Sequence, residues 1–377
     1  MRIAINCHSF LNRHYAGIGR YAYNLVKTLS EIDHDNEYWL YVQKRYFDFK
    51  RRAPRVSAKN FEVKIDWLNR GIDRILQPID IYHSPSPDYL NITHAKIVAT
   101  VHDLVYKTYP QGHTPQTCET TDRQLNVIVD KADRIICCSK STIKDLCHYF
   151  PKVNKKRIRL IYQGVDKNIF YPLNESERKR AEAVIKRKGI TQPFILFVGT
   201  IEPRKNLQNL LRAFSQLKRK NRFPGKLVII GMTGWMVEEV RRALREVNLS
   251  TQVVFLGYVS DETLRYFYNL AEVFTFPSFY EGFGFPIVEA FCCGTPVVCS
   301  NVSSIPELAQ DAALLINPNV PEEIADAIHR ITDDKKLKAK LKEKSFARAE
   351  NFSFLKTAQE TLEVYKELGL PAADVSI

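Results

Sequence analysis

Two glutamates in the stretch SFYEGFGFPIVEAFCCGTPVV (278–298) are candidates for chemistry. Glu281 and Glu289 are separated by seven residues in a run that is otherwise apolar and rich in glycine. Burying a carboxylate without a partner is costly, so a protein core does not require either charge. Both side chains are therefore candidate ligands for the polar parts of a bound molecule.

The residues around these glutamates predict how each one is presented. Gly282 and Gly284 allow the backbone to approach a ligand, and Pro286 favours the first turn of a helix. Glu289 then lies about one turn into that helix, where its carboxylate can accept hydrogen bonds from the paired hydroxyls of a ribose. Glu281 remains in the loop and is predicted to contact the next part of the same nucleotide-sugar.

Other interpretations of the two carboxylates stay open. Glu289 could stabilise the amino terminus of the helix, and Glu281 could be a solvent-facing loop residue. A glycoside hydrolase would hold two carboxylates roughly 5–10 Å apart across a sugar, and the sequence does not exclude that spacing. A hydrolase, however, has no need of the paired cations elsewhere in the chain.

These cations, Arg204 and Lys205, follow a predicted strand that ends at Gly199 in FVGTIEPRKNLQNLL (197–211). They precede Asn206, a residue type that favours the amino-terminal cap of a helix. Two cations beside a helix amino terminus predict a diphosphate site, in which arginine can bind two oxygens at once. Ordinary surface charge is the alternative.

Two further loops carry candidate residues. His102 and Asp103 end the predicted strand KIVATVHD (96–103), where a polar pair could bind a sugar hydroxyl, assist a proton transfer or simply order the loop. Gly17 and Gly19 precede a predicted helix whose free N–H groups could bind an anion. This glycine pair lacks the third glycine of the dinucleotide-binding fingerprint, which disfavours an NAD enzyme.

Short apolar strands alternating with helical patterns must position these loops. The first series is RIAIN (2–6), YWLYVQ (38–43), DIYHS (80–84), KIVATVHD (96–103), RIICCS (134–139) and IRLIYQG (158–164). The second is FILFVG (194–199), KLVIIG (226–231), VVFLGY (253–258), VFTFPS (273–278), PVVCS (296–300) and ALLIN (313–317). This alternation predicts parallel sheets covered by helices on both faces. We therefore expect an α/β protein of two doubly wound, Rossmann-like domains facing each other across a cleft, joined by a charged linker at 165–192.

Composition narrows the class of protein and its partners. The 377 residues exceed what one hydrophobic core usually serves, and 45% are hydrophobic, as in globular proteins. The start, MRIAINCHSF, is a predicted strand rather than a signal peptide, so we expect a cytoplasmic protein. The net charge of +13 suits an anionic partner. The run 44–55 mixes cations with Tyr46, Phe47 and Phe49, which predicts peripheral docking on the inner face of an anionic membrane. No nucleic-acid-binding motif accompanies the basic runs.

The motifs together resemble those of the retaining GT-B glycosyltransferases of family 4. The resemblance is carried by AGIGRY (16–21), VHDL (101–104), SKSTIKDL (139–146), GTIEPRKN (199–206), YEGFGFPIVEAFCCGTPVV (280–298) and SSIPELAQDAALLINP (303–318). The combination is most similar to bacterial mannosyltransferases of polysaccharide and O-antigen assembly. It implies an acceptor-side domain at 1–168, a nucleotide-sugar-binding domain at 169–353, and a last helix within 354–377 that completes the first domain.

The resemblance also implies roles for individual residues. His102 contacts the transferred sugar, Arg204 and Lys205 hold the diphosphate, Glu281 lies by the donor sugar and Glu289 binds the ribose. Gly17 and Gly19 are implied to line the diphosphate and the acceptor side, and the other residues implied to lie at the donor are Gly199, Val259 (at the base), Gly282, Phe283 and Gly284. One departure is Gln163 in IYQGVD, where the family usually has asparagine.

The implied activity is sugar transfer with retention, most simply of mannose from GDP-mannose to a glycan or lipid-linked saccharide. A UDP-sugar donor and a nucleotide-sugar epimerase of the same fold are the alternatives. No cofactor or metal is implied. The one D-x-D pair, Asp33 and Asp35, lies where a polar turn is expected after the first helix.

Overall fold

The computed structural model describes residues 1–11, 17–44, 54–88, 92–234, 238–247, 249 and 251–369. The chain forms two compact units. The amino-terminal unit comprises Met1–Lys107, His113–Gly164 and Phe354–Ile377, and the carboxyl-terminal unit comprises Thr108–Gly112 and Val165–Ser353. Each has its own apolar core.

Within the described residues, the amino-terminal unit contains a parallel seven-stranded sheet in the order β3-β2-β1-β4-β5-β6-β7. Its strands are β1 (Arg2–Asn6), β2 (Glu37–Gln43), β3 (Phe61–Asp66), β4 (Ile81–Ser84), β5 (Lys96–Val101), β6 (Arg134–Cys137) and β7 (Ile158–Leu160). Six of these confirm the sequence prediction. The sequence prediction missed β3, because this edge strand alternates charged Glu62 and Lys64 with apolar residues and lacks a continuous apolar run.

The described part of the carboxyl-terminal unit contains a parallel six-stranded sheet in the order β10-β9-β8-β11-β12-β13. Its strands are β8 (Phe194–Val198), β9 (Lys226–Ile230), β10 (Val253–Phe255), β11 (Val273–Phe276), β12 (Val297–Ser300) and β13 (Ala313–Ile316). All six were predicted. β8, β11 and β12 are buried along their full length, as strands covered on both faces must be.

Helices lie in most of the connections between successive strands; in the described residues, none lies between β2 and β3 or between β4 and β5. They are α1 (Gly17–Ile32), α2 (Ile72–Ile75), α3 (Val105–Thr108), α4 (Pro115–Lys131), α5 (Lys140–Tyr149), α6 (Glu175–Arg187), α7 (Leu207–Arg219), α8 (Glu238–Val247), α9 (Asp261–Leu270), α10 (Phe285–Cys292), α11 (Ile305–Ala309), α12 (Pro321–Asp333), α13 (Lys335–Ala349) and α14 (Phe354–Gly369). None of the helices described is long and apolar enough to cross a bilayer.

The segment 165–192 was expected to be a charged linker, but it contains α6. Asn174 and Glu177 form a reciprocal capping box at the start of this helix. Ala181 and Ile185, four residues apart, are its buried side chains. The high charge of the segment is therefore the solvated face of an amphipathic helix that packs on α9.

The last helix, α14, packs against α1 and β4 in the amino-terminal unit. The Tyr365 hydroxyl lies 2.6 Å from Nδ1 of His83, whose Nε2 lies 3.0 Å from the hydroxyl of Thr100. Glu367 forms ion pairs with Arg134 and Arg159. The end of the chain is thus held in this unit by a buried polar network and by surface charges.

Candidate functional site

The strand order places the predicted cations and Glu281 at one point of the carboxyl-terminal sheet. From β8, the chain adds β9 and β10 on one side, then crosses to add β11, β12 and β13 on the other. Open parallel sheets bind ligands where the order reverses in this way. The loops after β8 and β11 meet at this point; the first carries Arg204 and Lys205, and the second carries Glu281.

These loops contribute a buried cluster of four charged side chains. Arg204 Nη1 lies 2.7 Å from Glu281 Oε2, and Lys205 Nζ lies 2.6 Å from Glu281 Oε1. Nη2 of Arg204 lies 2.5 Å from Oε1 of Glu202, and Nη1 also donates to the carbonyl of Tyr280. Lys205 Nζ lies 5.1 Å from the centre of the Phe276 ring.

The charges determine each other's protonation. Burial by itself would raise the pKa of Glu281, but the charges and hydrogen bonds of Arg204 and Lys205 outweigh it and lower that pKa to about 2. Burial and the neighbouring Arg204 lower the pKa of Lys205, while Glu281 and Glu202 oppose that shift. The cluster contains two cations and two carboxylates, so its formal charges cancel. A bound diphosphate would therefore be attracted by fixed, oriented donors rather than by excess positive charge.

Glu281 is not the solvent-facing loop residue that the sequence left open as an alternative. It is only 7% exposed, and both carboxylate oxygens are bonded to cations. In this arrangement its first task is to orient Arg204 and Lys205. Its predicted contact with the donor sugar stays a prediction.

Asn206 connects the loops in a way the sequence prediction missed. It occupies the cap position of α7, but its side chain does not cap the helix, and its backbone is left-handed with φ of 57°. Instead Nδ2 donates to the carbonyls of Pro277 and Pro318, at 3.0 and 2.7 Å. The amide thereby joins the loops that follow β8, β11 and β13.

The motif SSIPEL supplies a second connection that was not assigned from the sequence. Ser304 donates to the carbonyls of Glu281 and Phe283, at 2.9 and 2.7 Å, and the hydroxyl of Ser303 accepts from the Glu281 N–H. Since these serines lie in the loop after β12, their position near a strand's carboxyl end was the available signal. They fix the backbone on either side of Gly282.

The remaining donor-side candidates lie in the same unit. Gly284 caps α10 with a positive φ of 126°, and Pro286 lies in the first turn, as predicted. Glu289 is in the second turn, is 1% exposed, and accepts a hydrogen bond of 2.9 Å from the Tyr268 hydroxyl through Oε2. Phe283 is buried.

Gly199 and Val259 lie in loops at the carboxyl ends of β8 and β10. Close packing against the loop after β8 explains why residue 231, at the end of β9, is a glycine. A Cβ atom there would lie 2.0 Å from the carbonyl oxygen of Gly199, so the two loops could not approach each other with any other residue.

In the amino-terminal unit, His102 is buried and both of its ring nitrogens are engaged. Nε2 lies 2.7 Å from the carbonyl of Pro85, and Nδ1 lies 2.7 Å from Nε2 of Gln163. Its own carbonyl accepts from the thiol of Cys138 and the hydroxyl of Thr142. A carbonyl can only accept, so Nε2 carries the proton and Nδ1 accepts from the amide.

Burial lowers the pKa of His102, against the opposing effects of the Pro85 carbonyl and Asp103. The ring is therefore neutral near pH 7, in a fixed tautomer, which suits a positioning role better than proton transfer. Asp103 does not pair with it, because its carboxylate accepts from the Val105 N–H at the start of α3.

The glycine pair lies inside a helix rather than before it. α1 begins at Gly17, so Gly17 and Gly19 are in its first turn, where backbone N–H groups still lack partners within the helix. Tyr21, two residues further on, packs edge-on against His102 with ring centres 5.1 Å apart. The first turns of α1 and His102 therefore lie together. Residues 12–16 are outside the described part of the chain.

Replacement of Gln163 tests this arrangement of His102. Gln163→Glu places a carboxylate at Nδ1, which should raise the pKa of His102 and charge the ring near neutral pH. We expect turnover to fall about tenfold and to acquire a new pH dependence. Titration of the His102 ring by NMR checks this, with Gln163→Asn as the control that keeps the amide. An unchanged titration in Gln163→Glu would contradict the contact between residue 163 and Nδ1 of His102.

Asp33, of the D-x-D pair, has a structural role. Its carboxylate accepts from the hydroxyl of Tyr38, the amide of Asn36 and the N–H of Asp35. It forms the polar turn that the sequence predicted after α1. In the described ranges, no three His, Cys, Asp or Glu side chains are grouped closely enough to hold a metal ion.

Comparison with solved structures defines the class of fold. Sucrose-phosphate synthase from Thermosynechococcus elongatus superposes with a TM-score of 0.79 at 21% identity, over 97% of this chain and 98% of that one. Anabaena Alr3699/HepE in complex with UDP and glucose gives 0.75 at 18% identity, over 97% and 100%. The protein has the GT-B fold, as the sequence motifs indicated.

Family comparison makes the assignment specific. Residues 15–168 match Glycosyltransferase Family 4, and residues 178–348 match Glycosyl transferases group 1. O-antigen chain mannosyltransferase B of Escherichia coli is 30% identical over 93% of this chain and 96% of its own. The chain belongs to glycosyltransferase family 4.

Two other relatives match over part of the chain. Serotype-specific mannosyltransferase WbdA of Escherichia coli is 28% identical over 63% of this chain, which corresponds to 29% of WbdA. A Campylobacter jejuni enzyme is 29% identical over 63% of this chain and 61% of its own length. Its name is N-acetylgalactosamine-N,N'-diacetylbacillosaminyl-diphospho-undecaprenol 4-alpha-N-acetylgalactosaminyltransferase.

Proposed function

We propose that this glycosyltransferase moves mannose from GDP-mannose to a glycan or lipid-linked saccharide, with retention and without a metal ion. The observation that carries the proposal is the buried cluster of Arg204, Lys205, Glu202 and Glu281 at the switch point of the carboxyl-terminal sheet. Its fixed cations suit a departing diphosphate. The mannose assignment is supported by the 30% identical O-antigen chain mannosyltransferase B.

In the proposed reaction, an acceptor oxygen forms a bond to C1 of the sugar on the face from which the diphosphate leaves. The C1–O bond to the diphosphate breaks, and the acceptor proton passes to an oxygen of that leaving group. No protein nucleophile takes part. This agrees with Glu281, whose two oxygens are already bonded to cations, and with a neutral His102 that holds rather than transfers a proton.

The names of two relatives support a proposal for the acceptor. One relative is named for assembly of an O-antigen chain, and another for a diphospho-undecaprenol acceptor, which is a lipid carrier. By analogy, we propose a growing saccharide on a lipid carrier as the acceptor. We place the protein in the cytoplasm, at the inner face of the membrane.

A side-by-side turnover assay with GDP-mannose, UDP-glucose and UDP-N-acetylglucosamine tests the donor. Nucleotide release should be fastest with GDP-mannose, should rise when a mannosylated glycan is added, and should yield a product with the α-anomeric configuration of the donor. The UDP complex of Anabaena HepE makes a UDP-sugar the second candidate. Preference for a UDP-sugar would replace the mannose assignment, and conversion of the donor to its epimer without transfer to an acceptor would favour an epimerase.

Removal of Glu289 tests the predicted ribose contact. Glu289→Ala should weaken GDP binding by about 1.5–3 kcal/mol, the usual contribution of hydrogen bonds to a charged group. Calorimetry with GDP and 2'-deoxy-GDP checks this, because the deoxy ligand should lose less on the same substitution. Tyr268→Phe is the control for orientation, since it removes only the hydroxyl that holds Oε2. Equal losses for the two ligands would remove the ribose role.

A further inference from the structure

The turn after β3 exposes two adjacent large apolar side chains. Trp67 is 41% exposed and Leu68 is 75% exposed, the largest value among the large hydrophobic residues that the structure describes. Single exposed apolar residues are ordinary on protein surfaces. Two consecutive ones in a single turn form an exposed apolar pair.

The turn is held in shape by the carboxylate of Asp66, which is buried. Oδ1 accepts from the N–H of Arg70 and Oδ2 accepts from the N–H of Gly71, both at 3.0 Å. The hydroxyl of Tyr41 donates to Oδ2 at 3.1 Å. Gly71 adopts a positive φ of 91°, which favours glycine. The apolar pair is therefore presented by an ordered turn rather than by a collapsed loop.

Lys44 lies beside Trp67, and Arg70 and Arg74 follow the apolar pair in the chain. Lys44 Nζ lies 5.9 Å from the centre of the Trp67 ring, and Arg70 and Arg74 are exposed. β2 and β3 are parallel neighbours, so the chain leaves β2 beside the turn, and it continues into the basic run 44–55. Residues 45–53 of that run, including the aromatic residues predicted to dock, lie outside the described part of the chain. Only the described cations therefore support the inference below, and residues 45–53 do not.

We propose that the Trp67–Leu68 turn docks the protein on an anionic phospholipid bilayer. Tryptophan favours the interface between headgroups and acyl chains, and leucine favours the acyl region. Lys44, Arg70 and Arg74 would then face anionic headgroups, each adding to the attraction. The use of such docking rests on the proposed function, because a lipid-linked acceptor requires the enzyme at the membrane surface.

Flotation with vesicles of equal parts phosphatidylglycerol and phosphatidylcholine tests the docking. The double variant Trp67→Ser, Leu68→Ser should lower the partition coefficient about tenfold or more. Leu355→Ser is the matched control, because Leu355 is also 50% exposed but lies on α14, and it should bind like wild type. Equal binding of the double variant and wild type would overturn the proposal.

Quenching by brominated acyl chains tests insertion directly. Wild-type tryptophan fluorescence should fall on brominated vesicles, and this quenching should disappear in Trp67→Phe, which keeps an aromatic ring at the site. Trp39 and Trp235 remain in that variant. Quenching that persists in Trp67→Phe would show that another tryptophan inserts and would overturn the assignment.

The charged residues provide an independent test. Arg70→Glu with Arg74→Glu should weaken binding to the anionic vesicles by roughly tenfold or more and barely change binding to pure phosphatidylcholine. Equal weakening of binding to both kinds of vesicle would contradict the proposed attraction between these arginines and anionic headgroups. If a second copy of the chain covered the turn instead, wild type would sediment as a dimer and the Trp67→Ser, Leu68→Ser variant as a monomer. Flotation would then be the same for both proteins.

These measurements are separable from the proposed activity. Flotation and quenching use no sugar nucleotide, so their failure would remove the docking turn and leave the transferase assignment untouched. GDP binding by calorimetry should be the same in the serine double variant and the wild type. Normal flotation without turnover of any nucleotide-sugar would count against the proposed function alone.

Discussion

Replacement of Arg204 by alanine is expected to lower turnover by about 10²–10³-fold, whereas EDTA leaves the wild-type rate unchanged. The magnitude is that of removing one pre-oriented donor from charge that develops in a transition state. The guanidinium is fixed by Glu281, Glu202 and the Tyr280 carbonyl before any substrate arrives. It therefore needs no reorganisation when the diphosphate leaves. Lys205→Ala should behave similarly.

Three controls make the Arg204 result specific. Arg204→Lys keeps the charge but loses the two-pronged geometry, so its rate should lie between those of wild type and Arg204→Ala. Arg212→Ala removes a half-exposed cation from α7 and should have little effect on rate. Thermal unfolding separates loss of chemistry from loss of fold. Activity abolished by EDTA and restored by manganese, with Arg204→Ala nearly normal, would contradict this account of the diphosphate site.

Replacement of Glu281 is expected to affect stability as well as activity. Glu281→Ala leaves Lys205 buried without its carboxylate partner and Arg204 with only Glu202, and breaking a buried ion pair costs about 3–5 kcal/mol. Denaturant unfolding should show that loss. Asp326→Ala is the control, because its pair with Arg222 is exposed and should contribute less than about 1 kcal/mol. A Glu281→Ala variant as stable as Asp326→Ala would show that the cluster does not hold the loops together.

The pH dependence of stability has a defined sign. The pKa of Glu281 is lowered from an ordinary 4.5 to about 2 on folding, so the unfolded chain takes up the proton first. The stabilisation, on the order of 3 kcal/mol, is complete above about pH 5 and is lost as the pH falls toward 2. Glu281→Gln lacks this group, so its stability should fall less steeply than that of wild type over the same range.

The sheet strands were predictable because burial on both faces demands continuous apolar runs. FILFV and VFTF carry that signal with little else around them. β3 and α6 were missed for the same physical reason, since each has a solvated face that dilutes the apolar pattern. In β3, Glu62 and Lys64 interrupt the apolar pattern. In α6, Ala181 and Ile185 are the only buried residues and most of the others are charged.

The position of the candidate site could be predicted from the sequence, but its geometry only in part. Strand ends followed by Arg204, Lys205, His102 and Glu281 are visible in the sequence, because parallel sheets place ligands there. The pairing of these side chains is a tertiary contact and leaves no local pattern. Glu202 and Gln163 were therefore not recognised as partners of Arg204 and His102.

Calorimetric titration of the wild type and Arg204→Ala with GDP and with GMP tests most directly whether Arg204 binds the diphosphate. The two ligands differ only in the β-phosphate, so their difference in affinity measures the diphosphate contact itself. Wild type should bind GDP at least about tenfold more tightly than GMP, and Arg204→Ala should lose most of this preference while binding GMP normally. Equal affinity of the wild type for GDP and GMP, or a preference that survives in Arg204→Ala, would contradict this role of Arg204.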